Sequence, residues 1–124
     1  MIGMSAVTGK PLSGDAHLAQ SLTDLFATRI GSRVCRRDYG SLLPDLIDQA
    51  MNAAGRLRLF AATAIAIARW EPRIELTQVG LESGDAVGSY HLTITGRRTD
   101  RPASLTGATT ALTTLAIPLR FSAP

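Results

Sequence analysis

Residues 69–74 read Arg69-Trp70-Glu71-Pro72-Arg73-Ile74, and at this stretch the hydropathy period of the chain changes from helical to alternating. Upstream, residues 53–69 are alanine-rich and predict a helix with Leu57, Phe60, Ala61, Ala64, Ile65 and Ala68 on its inner side. Pro72 must end that helix, because its ring has no N–H and disfavours helical backbone at Glu71. Downstream, Ile74, Leu76 and Gln78 alternate with Glu75, Thr77 and Val79, the period of a half-buried strand that runs to Glu82. Helical patterns lie before this junction and alternating ones after it. That order is the mark of an α+β domain.

Working outward, Gly84-Asp85 makes a turn, and Tyr90, Leu92 and Ile94 then alternate with His91, Thr93 and Thr95 as the second strand of an antiparallel hairpin. Residues 97–111 are polar and read as a loop. A last strand over 112–121 runs through Leu112, Leu115, Ile117, Leu119 and Phe121. Pro118 within it cannot donate a ladder hydrogen bond, which suits an edge strand or a bulge. On the other side, residues 1–14 form a turn-rich arm or short edge strand. Leu18, Leu22, Leu25, Phe26 and Ile30 make one apolar stripe on a helix over 15–30, which Asp15 caps or charge-complements and Gly31 stops. Residues 32–41 are irregular, and Ser41 is placed to cap a helix at 42–50. Pro44 falls in that helix's first turn, and Leu42, Leu43, Leu46 and Ile47 form its inner face. The expected architecture is one domain over 1–124: an arm, two or three helices, and a small three-stranded, mostly antiparallel sheet covered on one face.

The chain has 124 residues, of which 45% are hydrophobic and 19% charged, enough apolar material for one core. The net charge is +3, too small to argue for nucleic acid. Twelve of the thirteen cations are arginine, a bias that suits an interaction surface and equally a GC-rich genome. Cys35 is the single cysteine, so an intrachain disulfide and a multi-cysteine metal site are both ruled out. No apolar run reaches the roughly 18 residues of a membrane span, and residues 1–12 lack the apolar core of a signal peptide. The composition predicts a soluble cytoplasmic product.

Catalytic patterns are thin. Glu71, Glu75 and Asp48 do not make a glycosidase pair, which needs two carboxyls facing across a cleft, one of them in a pocket that raises its pKa. His17 and His91 are isolated in sequence from other ligand types, and no glycine-rich phosphate loop is present. Arg36-Arg37 and Arg97-Arg98 with Arg101 are basic clusters interrupted by Asp38 and Asp100, which suits a solvated loop or an acidic protein partner better than nucleic acid. No cofactor, metal or small-molecule substrate is implied.

The 69–74 junction admits two readings on its residues alone. Trp and Arg are the types most enriched at binding hot spots, and a proline-stiffened turn would display Glu71 and Arg73 with little entropy left to lose. The same residues would also serve as a helix terminator with a local ion pair and a tryptophan lid on the core.

Trp70-Glu71-Pro72-Arg73 followed by an alternating strand resembles the signature of the W-type phage baseplate family, which is related to the E component of type VI secretion baseplates. Gly31-Ser32-Arg33 and Tyr39-Gly40-Ser41, then Leu42 and Leu46-Ile47-Asp48, resemble its upstream elements in order and rough spacing, from about Leu18 to Leu81. What the resemblance implies is a structural wedge subunit and not an enzyme. Such a subunit joins wedge scaffold proteins to the first tail-sheath ring, in the virion tail baseplate after assembly in the host cytoplasm. The partner-binding residues it implies are Trp70, Glu71, Pro72, Arg73, Arg33, Tyr39 and Gly40. An adaptor or regulator on the same fold, and a small nucleic-acid-binding module, are the alternatives.

Overall fold

The structure is a computed structural model that describes residues 2–46, 52–85, 89–99 and 112–120. Its elements in chain order are β1 (Ile2–Met4), β2 (Pro11–Ser13), α1 (Gly14–Ala27), α2 (Leu43–Leu46), α3 (Ala53–Trp70), β3 (Ile74–Ser83), β4 (Ser89–Arg98) and β5 (Leu112–Arg120). β3, β4 and β5 form an antiparallel sheet in that spatial order, and β1 and β2 pair as a separate hairpin. The α+β architecture, helices first and a three-stranded sheet last, is the one expected. The arm is more ordered than an edge strand: its hairpin is tied to α1 by Gln20, whose amide donates to Met4 O and accepts from the Ala6 N–H.

The core lies between the helices and one face of the sheet. Leu18, Leu22, Leu25 and Phe26 of α1 meet Leu92 and Ile94 of β4 and Leu115 and Ile117 of β5, all buried. The phase of β3 differs from simple alternation. Leu76 is opposite Gly96 and Gln78 is opposite Thr95, so Thr77 is an extra residue, a bulge. It shifts the pleat by one, so Val79 and Leu81 join Ile74 and Leu76 on the core side while Gln78 faces outward. The sequence marks the shift by two polar residues in succession, Thr77 and Gln78, between Leu76 and Val79, which a strict alternation through Gln78 passes over.

Three further expectations are corrected. α1 ends at Ala27, not at residue 30. Thr28 turns extended, and its backbone N–H and hydroxyl both donate to Asp24 O. The chain then leaves to pair Arg29 with Ser41, which leaves Ile30 43% exposed. β4 continues through Arg98, so Arg97 and Arg98 are strand residues and not loop cations. Arg97 pairs with Glu75 on the neighbouring strand, and Arg98, only 6% exposed, donates to Asp15 at 2.7 Å. Ser13, not Asp15, is the N-cap residue of α1, while Asp15 lies in the first turn, where its charge complements the helix start as expected and also anchors Arg98.

The largest correction concerns α3. Its buried side is Leu59, Ala62, Thr63, Ala66 and Ile67, while Leu57 and Ile65, expected inside, are 68% and 63% exposed. Residues 53–68 are apolar nearly all round apart from Arg56 and Arg58, which fall on different sides of the helix, so periodicity offers two stripes and the charges do not choose between them. Tertiary contacts choose. The small side chains of Gly55, Ala62 and Ala66 let the helix approach its neighbours closely, and Thr63 satisfies its hydroxyl on Leu59 O at 2.8 Å.

For the second helix, α2 covers Leu43–Leu46 with Leu43 buried and Leu42 exposed, and Ile47 and the expected helix to residue 50 lie outside the described residues. The Gly84-Asp85 turn is described only to residue 85, and the expected 100–111 loop and Phe121 lie outside the described residues as well. β5 is an edge strand, as Pro118 suggested, with Pro118 opposite His91.

The tightest point of the sheet is Gly96. A Cβ there would come within 2.6 Å of Glu75 O and 2.7 Å of an Ile74 side-chain carbon. Gly96→Val is expected to destabilise the protein by about 1–3 kcal/mol through overpacking, read as a lower urea midpoint at unchanged slope.

Candidate functional site

α3 ends because Glu71 takes an extended-side conformation (φ −126°, ψ 81°) while its N–H still donates to Ile67 O at 2.9 Å. The Glu71 side chain turns inward and its residue is 4% exposed. Arg73 meets it as a two-pronged fork, Nε to Oε1 at 2.6 Å and Nη2 to Oε2 at 2.8 Å. Two residues of α1 complete the arrangement. Ser21 Oγ donates to Glu71 Oε2 at 2.8 Å, and His17 Nδ1 lies 2.9 Å from Arg73 Nη1. Because a guanidinium only donates, His17 accepts there through its unprotonated nitrogen. At the far side of the junction, Thr99 donates its hydroxyl to Pro72 O and its N–H to Arg73 O.

Glu71 and Arg73 are thus not displayed to solvent, contrary to the first reading of the junction. Buried Glu71 and half-buried Arg73 form a pair that fastens the end of α3 and the start of β3 to α1. Burial opposes ionisation of Glu71, but the hydrogen bonds from Arg73 and Ser21 outweigh it and hold the carboxyl below its usual range. His17 and Ser21, four apart on one face of α1, were not recognised from sequence as part of this site. The available signal was that spacing, beside the buried stripe of Leu18 and Leu22.

Trp70, Tyr39 and Arg33 do come together. The Tyr39 ring meets Trp70 edge-on, with centroids 5.1 Å apart and planes at 65°. Arg33 stacks over Tyr39 at 4.3 Å, while Arg36 and Arg69 lie 5.5 Å and 5.1 Å from the Trp70 ring. Asp24 ties the group to α1, accepting from Arg33 at 3.0 Å and from the Tyr39 hydroxyl at 3.3 Å. Burial, and then the Asp24 carboxylate, raise the Tyr39 pKa above the usual phenol value, so the ring stays neutral.

Gly40 makes the approach to α1 feasible. Its φ of 132° suits glycine, and a Cβ would lie 2.6 Å from Thr28 O. Ser41, read as a helix cap, instead donates its N–H to Thr28 O and its hydroxyl to Phe26 O. Among the described residues, no three His, Cys, Asp or Glu side chains converge as metal ligands. No helix of the described residues is long and apolar enough to cross a membrane.

This geometry sits inside the stretch that known proteins share. Residues 12–103 match the model of the family described as baseplate wedge protein gp25. The chain belongs to that family. It is 39% identical over 107 residues to baseplate protein W of Escherichia phage P2, covering 85% of this chain and 92% of that protein.

Among solved structures, it is similar to a chain of the postcontracted pyocin R2 baseplate (TM-score 0.65, 39% identity, 79% of this chain and 98% of the other). It is also similar to a putative tail lysozyme from Geobacter sulfurreducens (TM-score 0.70, 28% identity, 90% and 97%). A chain of the anti-feeding prophage baseplate shares the fold (TM-score 0.56, 21% identity, 94% and 78%).

Of the carboxylates weighed as a hydrolytic pair, Asp48 lies outside the described residues, and neither Glu71 nor Glu75 has the surroundings of a glycosidase acid. A glycosidase acid must keep its proton near neutral pH, in a pocket that raises its pKa. Glu71 is held charged by Arg73, and Glu75 is exposed and paired with Arg97.

Glu71→Ala and Arg73→Ala are each expected to cost about 3–5 kcal/mol of stability, because each leaves its partner buried and unpaired. A double-mutant cycle in urea checks this: the two losses should not add. A group whose pKa is lowered on folding stabilises the protein above its unfolded value and loses that contribution as pH falls through the lower, folded value. The stability gap between wild type and Glu71→Gln is therefore expected to be full near neutrality and to shrink below about pH 4, the unfolded glutamate value. Gly40→Ala is expected to cost about 1–3 kcal/mol by forcing a strained φ against Thr28. A thermal melt reads that loss.

Proposed function

We propose that this chain is a structural wedge subunit of a contractile-tail or injection-machine baseplate, linking wedge scaffold proteins to the first sheath ring, and that it has no catalytic activity. The observation that carries this reading is the way the family's motif is built. The Glu71–Arg73 fork, clamped by Ser21 and His17, makes a rigid corner rather than a cleft. On the outside of that corner sits a stacked Arg–Tyr–Trp–Arg patch.

Pre-ordered aromatic and guanidinium groups lose little entropy on binding, which suits a permanent joint between proteins. In this reading Trp70, Tyr39 and Arg33 contact a wedge partner. Glu71, Pro72, Arg73 and Gly40 hold the patch in place. The sheet adds a second means of attachment. Among the described residues β5 is an edge strand with no strand on its outer side, and strand addition by a sheath subunit would pair it. The location that follows is the tail baseplate of the assembled particle.

Arg33→Ala separates contact from scaffold. Arg33 is 44% exposed at its side chain, so its loss should change stability by only about 0–1 kcal/mol. Its loss should weaken co-purification with the wedge scaffold proteins by about 2 kcal/mol if it is a hot spot. Unchanged assembly by Arg33→Ala, Tyr39→Phe and Trp70→Phe together would refute the patch as the contact. Cell-wall cleavage by the purified protein that is abolished in Glu71→Gln would refute the structural role.

A further inference from the structure

The face of α3 that points away from the core is an exposed apolar ridge that none of the described elements packs against. Ala54, Leu57, Ala61, Ile65 and Ala68 lie along one exposed arc, bordered by Arg58 and Arg69. Beside the ridge, Ile65 and Trp70 line a cavity of about 50 Å³ together with Ile30 and Leu42, themselves 43% and 47% exposed. Leu57, Ala61, Ala64 and Ala68 recur at spacings of four, three and four, the seam of two packed helices, and the alanines allow close approach.

We propose that this face is the docking site for an acidic amphipathic helix of another baseplate protein. The inference rests on the wedge-subunit reading and names the partner's chemistry. Charge selects the occupant. The segments that frame the ridge and its groove, residues 24–45 and 53–70, hold seven arginines against three carboxylates. Those carboxylates, Asp24, Asp38 and Asp45, already pair with Arg33, Arg69 and Arg29. A second copy of this chain would set that excess against itself, which opposes self-docking. Nucleic acid would match the charge but leave Leu57, Ile65, Leu42 and Ile30 without an apolar partner. A helix with apolar residues along one stripe and Glu or Asp beside them matches both features.

The test uses the full chain co-expressed with the wedge proteins encoded beside it. Leu57→Glu with Ile65→Glu, and separately Arg58→Glu with Arg69→Glu, should each reduce partner binding about tenfold or more while the melting temperature stays near wild type. A photo-crosslinker at position 61 (Ala61→benzoylphenylalanine) should join to a helical, carboxylate-rich segment of a wedge partner. Wild-type binding by both double variants would overturn the proposal and leave the wedge function standing. A crosslink to a second copy, to a strand or to a segment without carboxylates would do the same, as would capture of duplex DNA by wild type but not by the arginine variant. Failure of the wild-type chain to join any wedge complex would overturn both. Should a double variant unfold, the crosslink alone decides.

Discussion

A carboxylate and a guanidinium two residues apart, on either side of a proline, hold the fold of this protein at its corner. Glu71 closes α3 and Arg73 leads into β3, so the fork between them sets the angle at which the helical layer meets the sheet. Both charges leave bulk water, which is tolerable only because nearly every polar position is answered: Glu71 accepts from Arg73 and Ser21, and Arg73 donates also to His17. The pair thereby brings α1 to the same corner. Proline prevents the helix from running on, and Thr99 binds the backbone of Pro72 and Arg73, which fixes the end of β4 there as well.

The surface features depend on that corner. Trp70 is the last residue of α3, and its ring is fixed where Tyr39 can meet it edge-on. Tyr39 reaches that place because Gly40 lets residues 29–41 press against the end of α1, with Asp24 gathering Arg33 and the Tyr39 hydroxyl. A charged pair in the interior and a cation–aromatic stack on the exterior are thus two sides of one construction. It contains the residues of a motif that, in sequence alone, admitted both an exposed epitope and a helix terminator with a local ion pair. With its pKa lowered by the hydrogen bonds from Arg73 and Ser21, Glu71 is unsuited to proton donation at neutral pH.

Much was legible before any coordinates. The change of period at Pro72, the α1 stripe of Leu18, Leu22, Leu25 and Phe26, and the alternation in β4 are local patterns, and local patterns state which element forms. The order of the motif elements was sufficient to suggest the baseplate family, which the match over residues 12–103 shows. What remained hidden was relational. α3 carries two apolar stripes, and only packing against β3, α2 and α1 selects Leu59, Ala62, Ala66 and Ile67 over Leu57, Ala61 and Ile65. The bulge at Thr77 leaves only a one-residue break between Leu76 and Val79 in the sequence, and the pairing of Leu76 with Gly96 and Gln78 with Thr95 is what identifies it.

The sequence by itself determined the elements, their order and the chemical types available at the junction, because helix stops, alternation and residue identity are properties of neighbours along the chain. The tertiary structure alone decided which way those residues face. Glu71 turns inward since Ser21 and His17, some fifty residues earlier, await it and its fork partner there. Arg98 is buried since Asp15, 83 residues earlier in the chain, meets it there. A charged side chain is stable inside a protein only where a partner from elsewhere in the chain meets it. No reading of local sequence can supply that partner's position.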